Sequence, residues 1–278
     1  MIQHVVVFLS PAGTTRRVAR HIERCLTDRG LSVRLVDLGV PAGGPVEADQ
    51  VGLDTPSCVW IGSPVYCDHA LPLVVEWIEG LPKTARGWSV PFATWGGVTS
   101  GLALPDLAEA LQAKGFQPVG AAKVLAEHAS MWAAPEPLGA GRPNALDLEQ
   151  VADLVARVTA NLEQAEPVAL DLRLLDYLSP SLRSESASKS LAKVKAMMPP
   201  PKAIETRCTQ CGECVAVCPV GAITLDPYPV MADSCILCQQ CVRTCPEGAF
   251  PHDAEATAKR IAAKAATSDE DKVTRVFC

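Results

Sequence analysis

Eight of the 12 cysteines in this 278-residue chain lie between residues 208 and 245, in two groups with the same spacing. Each group has two gaps of two residues, then a gap of three residues, and a proline follows its last cysteine. The groups are Cys208, Cys211, Cys214 and Cys218, then Cys235, Cys238, Cys241 and Cys245. Such dense thiols in a chain that lacks a recognisable secretion signal indicate metal ligation or redox chemistry rather than disulfides.

The spacing predicts two 4Fe-4S clusters that exchange one ligand between the groups. Gaps of two residues place three thiolates on one tight loop, and the fourth cysteine, which precedes proline, ligates the other cluster. One cluster takes Cys208, Cys211, Cys214 and Cys245, and the other takes Cys235, Cys238, Cys241 and Cys218. With every ligand position filled, the clusters are expected to transfer electrons. Zinc is the alternative metal, but zinc sites need neither the third close cysteine nor the final Cys-Pro.

Residues 204–252 resemble a bacterial two-cluster ferredoxin over the whole segment. The resemblance includes Gly221-Ala222-Ile223 after the first cysteine group and Gly248-Ala249-Phe250 after the second. It implies two 4Fe-4S clusters within a small α+β domain.

The region before the cysteines alternates short apolar runs with amphipathic helical patterns. Strands are predicted at 4–10, 32–38, 58–61, 90–94 and 119–125, and helices at 14–28, 71–81, 104–115 and 146–163. Strands that are apolar throughout suit a sheet covered on both faces. We therefore predict the α/β class, with a doubly wound five-stranded parallel sheet.

Ligands of such sheets bind at the carboxyl ends of the strands, so the loops there are candidate sites. The first loop contains Ser10, Ala12, Gly13, Thr14 and Thr15. A loop rich in hydroxyls that leads into a helix N-terminus favours a phosphate group. The alternative interpretation is an ordinary helix capped by Thr14 or Thr15.

Two later loops place an aromatic residue just beyond a strand. One contains Ser63, Pro64, Val65 and Tyr66, and the other contains Thr94, Trp95, Gly96 and Gly97. Tyr66 and Trp95 could enclose a planar ring, and glycine lets backbone amides approach it closely. Taken singly, each aromatic is more often a packing residue, but its position at a strand end beside a candidate phosphate loop favours a ligand.

The first 163 residues resemble flavodoxins, whose phosphate loop reads Ser/Thr-x-Thr-Gly-x-Thr. This chain matches at Ser10, Gly13 and Thr15, whereas Ala12 replaces a hydroxyl residue and removes a hydrogen bond worth about 1 kcal/mol. The resemblance implies FMN, with the two later loops around its isoalloxazine ring. Both modules in this order resemble the flavodoxin-ferredoxin fusion proteins, which carry a Ser-Pro-Thr-Gly-Thr-Thr loop and a Pro-Val-Tyr segment. That family implies electron transfer between flavin and iron-sulfur centres.

The expected organisation is an FMN domain at 1–165, a connector at 166–203, the cluster domain at 204–252, and a helix and polar tail at 253–278. A long loop at 127–144 follows the last predicted strand and contains His128 and Trp132. His128 is a candidate catalytic proton donor, and Trp132 could cover the flavin, although a solvent-facing loop histidine is the simpler interpretation. The basic connector is either a solvated surface or a docking patch for an acidic redox partner.

Composition and charge exclude several classes. The net charge is −6, and no basic stretch suits nucleic acid. The longest apolar runs are too short to span a membrane, and the first residues do not form a signal peptide, so we expect a cytoplasmic protein.

Three functions remain. The first is a relay of electrons between FMN, two 4Fe-4S clusters and a partner redox protein or enzyme. The second is a flavin-dependent reductase of a small molecule with His128 as proton donor. The third is a flavin-free ferredoxin with a binding domain. The flavin and the nearest cluster could meet within one chain or across a homodimer.

Overall fold

The computed structural model describes residues 2–39, 46–53, 56–84 and 86–278. Its strands are β1 (Gln3–Phe8), β2 (Val33–Asp37), β3 (Ser57–Tyr66), β4 (His69–Ala70), β5 (Gly87–Trp95), β6 (Phe116–Pro118), β7 (Ala121–Leu125), β8 (Ile223–Leu225), β9 (Pro229–Met231) and β10 (Arg275–Phe277). Five of these form a parallel sheet in the order β2-β1-β3-β5-β7. This is the flavodoxin-like order, and it confirms the predicted fold class.

The helices are α1 (Thr14–Thr27), α2 (Pro72–Glu79), α3 (Ala103–Ala113), α4 (Ala145–Leu162), α5 (Pro180–Ala187), α6 (Leu191–Met197), α7 (Glu213–Ala216), α8 (Gln240–Thr244) and α9 (Ala254–Thr267). Alternate residues of β1 face opposite sides of the sheet. Val6 and Phe8 pack with α1 and α4, whereas Val5 and Val7 pack with α2 and α3. The sheet is therefore covered on both faces, as its apolar strands predict.

The fifth predicted strand, 119–125, is observed as β7, and a further short strand that was not predicted, β6, lies just before it. Both pieces pair with β5, one at its start and one at its end. Pro118 has no amide proton to donate, and at Gly120 an added Cβ would lie 2.9 Å from side-chain atoms of Leu154 and Val158. Residues 119 and 120 belong to neither piece, although the Val119 amide still donates to the Ser89 carbonyl of β5 at 2.9 Å.

The C-terminal segment, expected to be a polar tail, returns to the sheet. β10 pairs with β7 in the antiparallel direction, so that Arg275, Val276 and Phe277 lie opposite Lys123, Ala122 and Ala121. Three residues among charged neighbours give too short a pattern to indicate a strand. The chain that follows the cysteine groups thus completes the edge of the N-terminal sheet.

The cysteine region has a small core of its own and also packs on the larger domain. Val242 and Phe250 lie in the small core, which Trp132 of the long loop also contacts. Ile236, between Cys235 and Cys238, is 3% exposed and belongs to the main core instead. Among the described helices, none is long and apolar enough to cross a membrane.

Candidate functional site

A cavity of about 420 Å³ lies where the carboxyl ends of β1, β3 and β5 meet the cysteine region. All three predicted loops contribute to its wall, with Ala12, Thr14, Thr15, Pro64, Val65, Tyr66, Thr94, Trp95 and Gly96. Ser10, Gly13, Ser63 and Gly97 lie beside these residues in the chain but do not line the cavity. The sequence predicts Ser63–Tyr66 and Trp95 in loops beyond the strands, but β3 extends to Tyr66 and β5 to Trp95. The volume falls in the range of small-molecule sites.

The first loop leaves backbone amides of α1 free for a ligand. Gly13 occupies the N-cap position with φ of 89° and has no side chain with which to cap the helix. The helix is therefore not capped by Thr14 or Thr15. The Ser10 hydroxyl accepts from the backbone amide of Arg16 at 2.9 Å, and the first turn contains no acidic residue. Free amides and the helix dipole make this end suitable for an anion.

The side chains of Thr15 and Arg16, at the start of α1, already have partners within the protein. The hydroxyls of Thr15 and Thr94 share a hydrogen bond of 2.7 Å, which ties the first loop to the end of β5. The Arg16 guanidinium lies 2.7 Å from the Asp37 carboxylate, so it does not replace the hydroxyl missing at Ala12. Thr14 remains on the cavity wall as the nearby hydroxyl donor.

The two aromatic residues have different environments. Tyr66 is partly exposed and lines the cavity, whereas Trp95 is 1% exposed and packs as a core residue. The Lys123 ammonium lies 4.9 Å from the centre of the Trp95 ring. The Trp95 Nε1 is buried and has no hydrogen-bond partner among the described residues. A ligand acceptor would satisfy such a donor, since a buried unpaired N–H costs free energy.

His128 is partly buried and lies in the cavity wall. Its Nδ1 accepts from the Ser130 backbone amide at 3.3 Å, so the neutral ring carries its proton on Nε2. Burial lowers the pKa of His128 to about 4. The ring is therefore neutral near pH 7, and it is suited to donate a hydrogen bond rather than to act as a strong acid. Gly96 gives it room, because a Cβ there would lie 2.7 Å from the ring.

The eight cysteines form two sets in space, and the sets cross between the sequence groups. One cleft is lined by Cys208, Cys211, Cys214 and Cys245. Burial raises the pKa of the Cys238 thiol, and the nearby thiols of Cys218 and Cys235 raise it further. Cys218 and Cys235 influence Cys241 in the same way. Nowhere in the described part of the chain do three or more His, Cys, Asp or Glu side chains converge as a site for a single metal ion.

The Gly-Ala pairs after the two cysteine groups have matching roles. The Ala222 amide donates to the Cys218 sulfur at 3.2 Å, and the Ala249 amide donates to the Cys245 sulfur at 3.3 Å. Both preceding glycines have positive φ, which glycine adopts without steric cost. Hydrogen bonds to ligand sulfurs help to set cluster potentials. Each Gly-Ala pair provides one such hydrogen bond.

The second cysteine group forms the opposite wall of the cavity. Ile236, Leu237, Gln239 and Val242 line it, and Cys238 packs with Tyr66 against the main core. The Gln240 side chain donates to the backbone carbonyl of Pro11, which joins this group to the first loop. The site is therefore built from both parts of one chain.

Sequence reasoning did not identify two groups of residues in the cavity wall. Leu191, Val194 and Met198 belong to α6 and its end, within the expected connector. His252 and Arg260 follow the cysteine groups. Trp132 does not line the cavity and stacks instead on His252, with ring centres 5.5 Å apart. The amphipathic pattern of 191–198 indicates a helix, but it does not show which surface that helix covers.

Residues 207–249 match the family model of the 4Fe-4S dicluster domain. This segment contains both cysteine groups, and together they indicate two 4Fe-4S clusters. No curated protein matches the sequence.

Several solved structures are similar to the N-terminal part. The rubredoxin oxygen:oxidoreductase of Desulfovibrio gigas is 23% identical, with a TM-score of 0.42 over 58% of this chain and 37% of that chain. This chain thus spans little more than a third of the oxidoreductase. A flavodoxin from the domain Archaea is 17% identical, with a TM-score of 0.42 over 59% of this chain and 100% of that chain. A flavodoxin of Streptococcus pneumoniae TIGR4 is 15% identical, with a TM-score of 0.43 over 57% of this chain and 98% of that chain.

Proposed function

We propose that this protein transfers electrons between FMN, held in the cavity, and two 4Fe-4S clusters held by the eight cysteines. One observation carries the proposal: a single cavity is lined both by the loop at the start of α1 and by residues of the Cys235–Cys241 segment. A cofactor bound there contacts the cluster domain directly. FMN supplies chemistry that links two-electron and one-electron steps, which suits a chain that also holds one-electron clusters.

The residues present fit FMN in their donor chemistry. The amides at the start of α1 and the Thr14 hydroxyl would hold the phosphate, because this helix end has no acidic residue in its first turn. Tyr66 would pack against the ring system. The Trp95 Nε1, which lacks a partner among the described residues, and the neutral His128 ring would donate hydrogen bonds.

The positions of the two cysteine sets suggest an order of transfer. The set with Cys238 adjoins the cavity, whereas Cys211 of the other set is exposed to solvent. The Cys238 cluster would then exchange electrons with the flavin, and the Cys211 cluster with a partner redox protein or enzyme. This arrangement requires only one chain, so a homodimer is not needed to bring the centres together.

The reductase alternative depends on His128 as a proton donor. Burial lowers its pKa to about 4, so at neutral pH very little of the ring is protonated. The lowered pKa therefore favours the relay, with His128 as a hydrogen-bond donor. The flavin-free alternative depends on Ala12 and predicts that added FMN does not bind.

A charge change at position 12 tests the proposed site. Ala12→Asp would place a carboxylate on the first loop and should weaken FMN binding by about 100-fold, because the carboxylate repels the phosphate and competes with it for the positive end of the helix dipole. Ala12→Asn has nearly the same shape without the charge and is the control. FMN fluorescence quenching by the anaerobically purified chain measures binding, and iron analysis confirms that the clusters are intact. Equal FMN affinity of the Asp and Asn variants would contradict a phosphate site at this loop.

A further inference from the structure

Glu270, in the segment between α9 and β10, has a buried carboxylate with several donors. Its side chain is 4% exposed. It accepts from the Thr99 hydroxyl at 2.8 Å, the Ser100 backbone amide at 2.7 Å and the Lys123 ammonium at 2.5 Å. The Ser100 hydroxyl also donates to it. A carboxylate with this many charged and neutral partners fixes the groups around it.

Thr99 and Ser100 belong to the loop between β5 and α3, which follows Trp95 and Gly96 on the cavity wall. The loop is fixed at its far end as well, because the Leu102 amide donates to the Asp68 carbonyl at 2.7 Å. At Gly101 an added Cβ would lie 2.0 Å from that same carbonyl. Glu270 therefore holds the middle of a loop that is already anchored beyond it.

Lys123 connects the same carboxylate to the aromatic part of the wall. Its side chain is 3% exposed, and its ammonium lies 4.9 Å from the centre of the Trp95 ring and 4.6 Å from that of Tyr177. A buried ammonium needs an opposite charge nearby, and Glu270 provides it. Without Glu270, the Thr99 hydroxyl, the Ser100 backbone amide and the Lys123 ammonium would all lose the carboxylate that they contact.

We propose that Glu270 is a positioning residue of the flavin site, and this inference rests on the proposed function. Its carboxylate holds the Gly96–Ser100 loop in the geometry that receives the flavin ring. Because Glu270 follows the cluster domain in the chain, the flavin site is complete only when the C-terminal segment has returned to the sheet. Flavin binding is thereby coupled to the docking of the segment that leaves the cluster domain.

The test compares Glu270→Gln with wild type in the full chain, purified anaerobically with its clusters. Glutamine keeps the size of the side chain but removes the charge that Lys123 requires. FMN affinity should fall about tenfold or more, as expected for loss of one charged hydrogen bond. The midpoint potential and visible spectrum of the FMN that does bind should also change, which a mere loss of stability would not cause.

Two further variants make the test decisive. Glu255→Gln is the matched control, because Glu255 is 78% exposed on α9 and pairs with Lys259. It should leave FMN affinity and potential unchanged. Thr99→Val removes the hydroxyl that donates to Glu270 and accepts from the Gly101 amide, and it keeps the Lys123 pair, so it should weaken FMN binding by about fivefold. If Glu270→Gln loses iron, the FMN affinity of Thr99→Val is used to test the inference instead.

The outcomes separate this inference from the proposed function. If wild type fails to bind FMN, the proposed function is wrong and the inference falls with it. If wild type binds FMN, and Glu270→Gln binds it with the same affinity, potential and spectrum, the proposed function stands and Glu270 has no positioning role. Unchanged FMN affinity in Thr99→Val, where Glu270→Gln is unstable, would overturn the inference equally.

Discussion

His4 is a titratable side chain in the middle of the N-terminal sheet. It is 2% exposed, and its Nδ1 accepts a hydrogen bond of 3.2 Å from the Trp60 Nε1. Burial lowers the pKa of His4 to about 4. The unfolded chain therefore binds a proton at His4 between about pH 6.5 and 4, whereas the folded chain does not.

This difference predicts acid sensitivity of the fold. Stability from a neutral His4 is complete above about pH 6.5 and is lost as the pH falls towards 4, and the loss from pH 7 to pH 5 is about 2 kcal/mol. His4→Asn keeps an acceptor for Trp60 and should remove this part of the pH dependence. The pH dependence of stability is measured by amide hydrogen exchange of β1 in the anaerobic protein, at pH 7 and pH 5, with correction for the intrinsic exchange rates. An identical pH dependence in the variant would show that His4 titrates normally.

Single residues also show where sequence reasoning succeeds. The crossed cysteine sets follow from local spacing and Cys-Pro chemistry, so they could be predicted. The ion pair beside Trp95 could not, because Lys123 lies over the Trp95 ring and pairs with Glu270. These two residues are 147 positions apart and meet only in the folded chain. The sequence contains both Lys123 and Glu270, but no sequence pattern predicts that they form an ion pair.

At the scale of elements, the C-terminal strand is the main addition to the predicted fold. Phe277 is 4% exposed in the main core and stacks on Tyr177, with ring centres 5.4 Å apart. The Thr274 hydroxyl donates to Asp147 at 2.6 Å and accepts from the Leu125 amide at 2.9 Å. These contacts make the last residues part of the sheet domain.

Phe277→Ala should therefore destabilise the whole N-terminal domain. Removing a buried aromatic ring costs about 3–5 kcal/mol, which lowers the melting temperature by on the order of 10 °C. Val273→Ala, at a position 48% exposed, is the control and should change stability by less than about 0.5 kcal/mol. Anaerobic thermal unfolding followed by circular dichroism compares the two. Equal melting temperatures would mean that β10 does not stabilise the sheet.

The elements that could be predicted are those with long periodic patterns. β1 and α1 have apolar faces that fill the core, and they lie within a few residues of their predicted bounds. β10 and β6 have only three residues each, and Gly120, just before β7, packs closely against Leu154 and Val158 of α4. Those features depend on contacts far apart in the chain, which periodicity does not record.

At the scale of the whole molecule, the sequence predicts two modules but not how they meet. The spacing of the cysteines and the alternation of strands and helices identify each part separately. Their orientation depends on Ile236 entering the main core, on Trp132 entering the small core, and on α6 closing the cavity. Each contact uses an ordinary apolar residue, so nothing in its local sequence marks it as interfacial.

The central claim is that one chain holds both cofactor types around this shared cavity. The most direct test is the content of iron, acid-labile sulfide and flavin in anaerobically purified protein after incubation with FMN and removal of the excess. We predict about eight irons, about eight sulfides and about one FMN per chain, with the visible spectrum bleached on reduction. Eight irons with no retained FMN would contradict the flavin site. Far fewer irons, or zinc in their place, would contradict the assignment of the clusters.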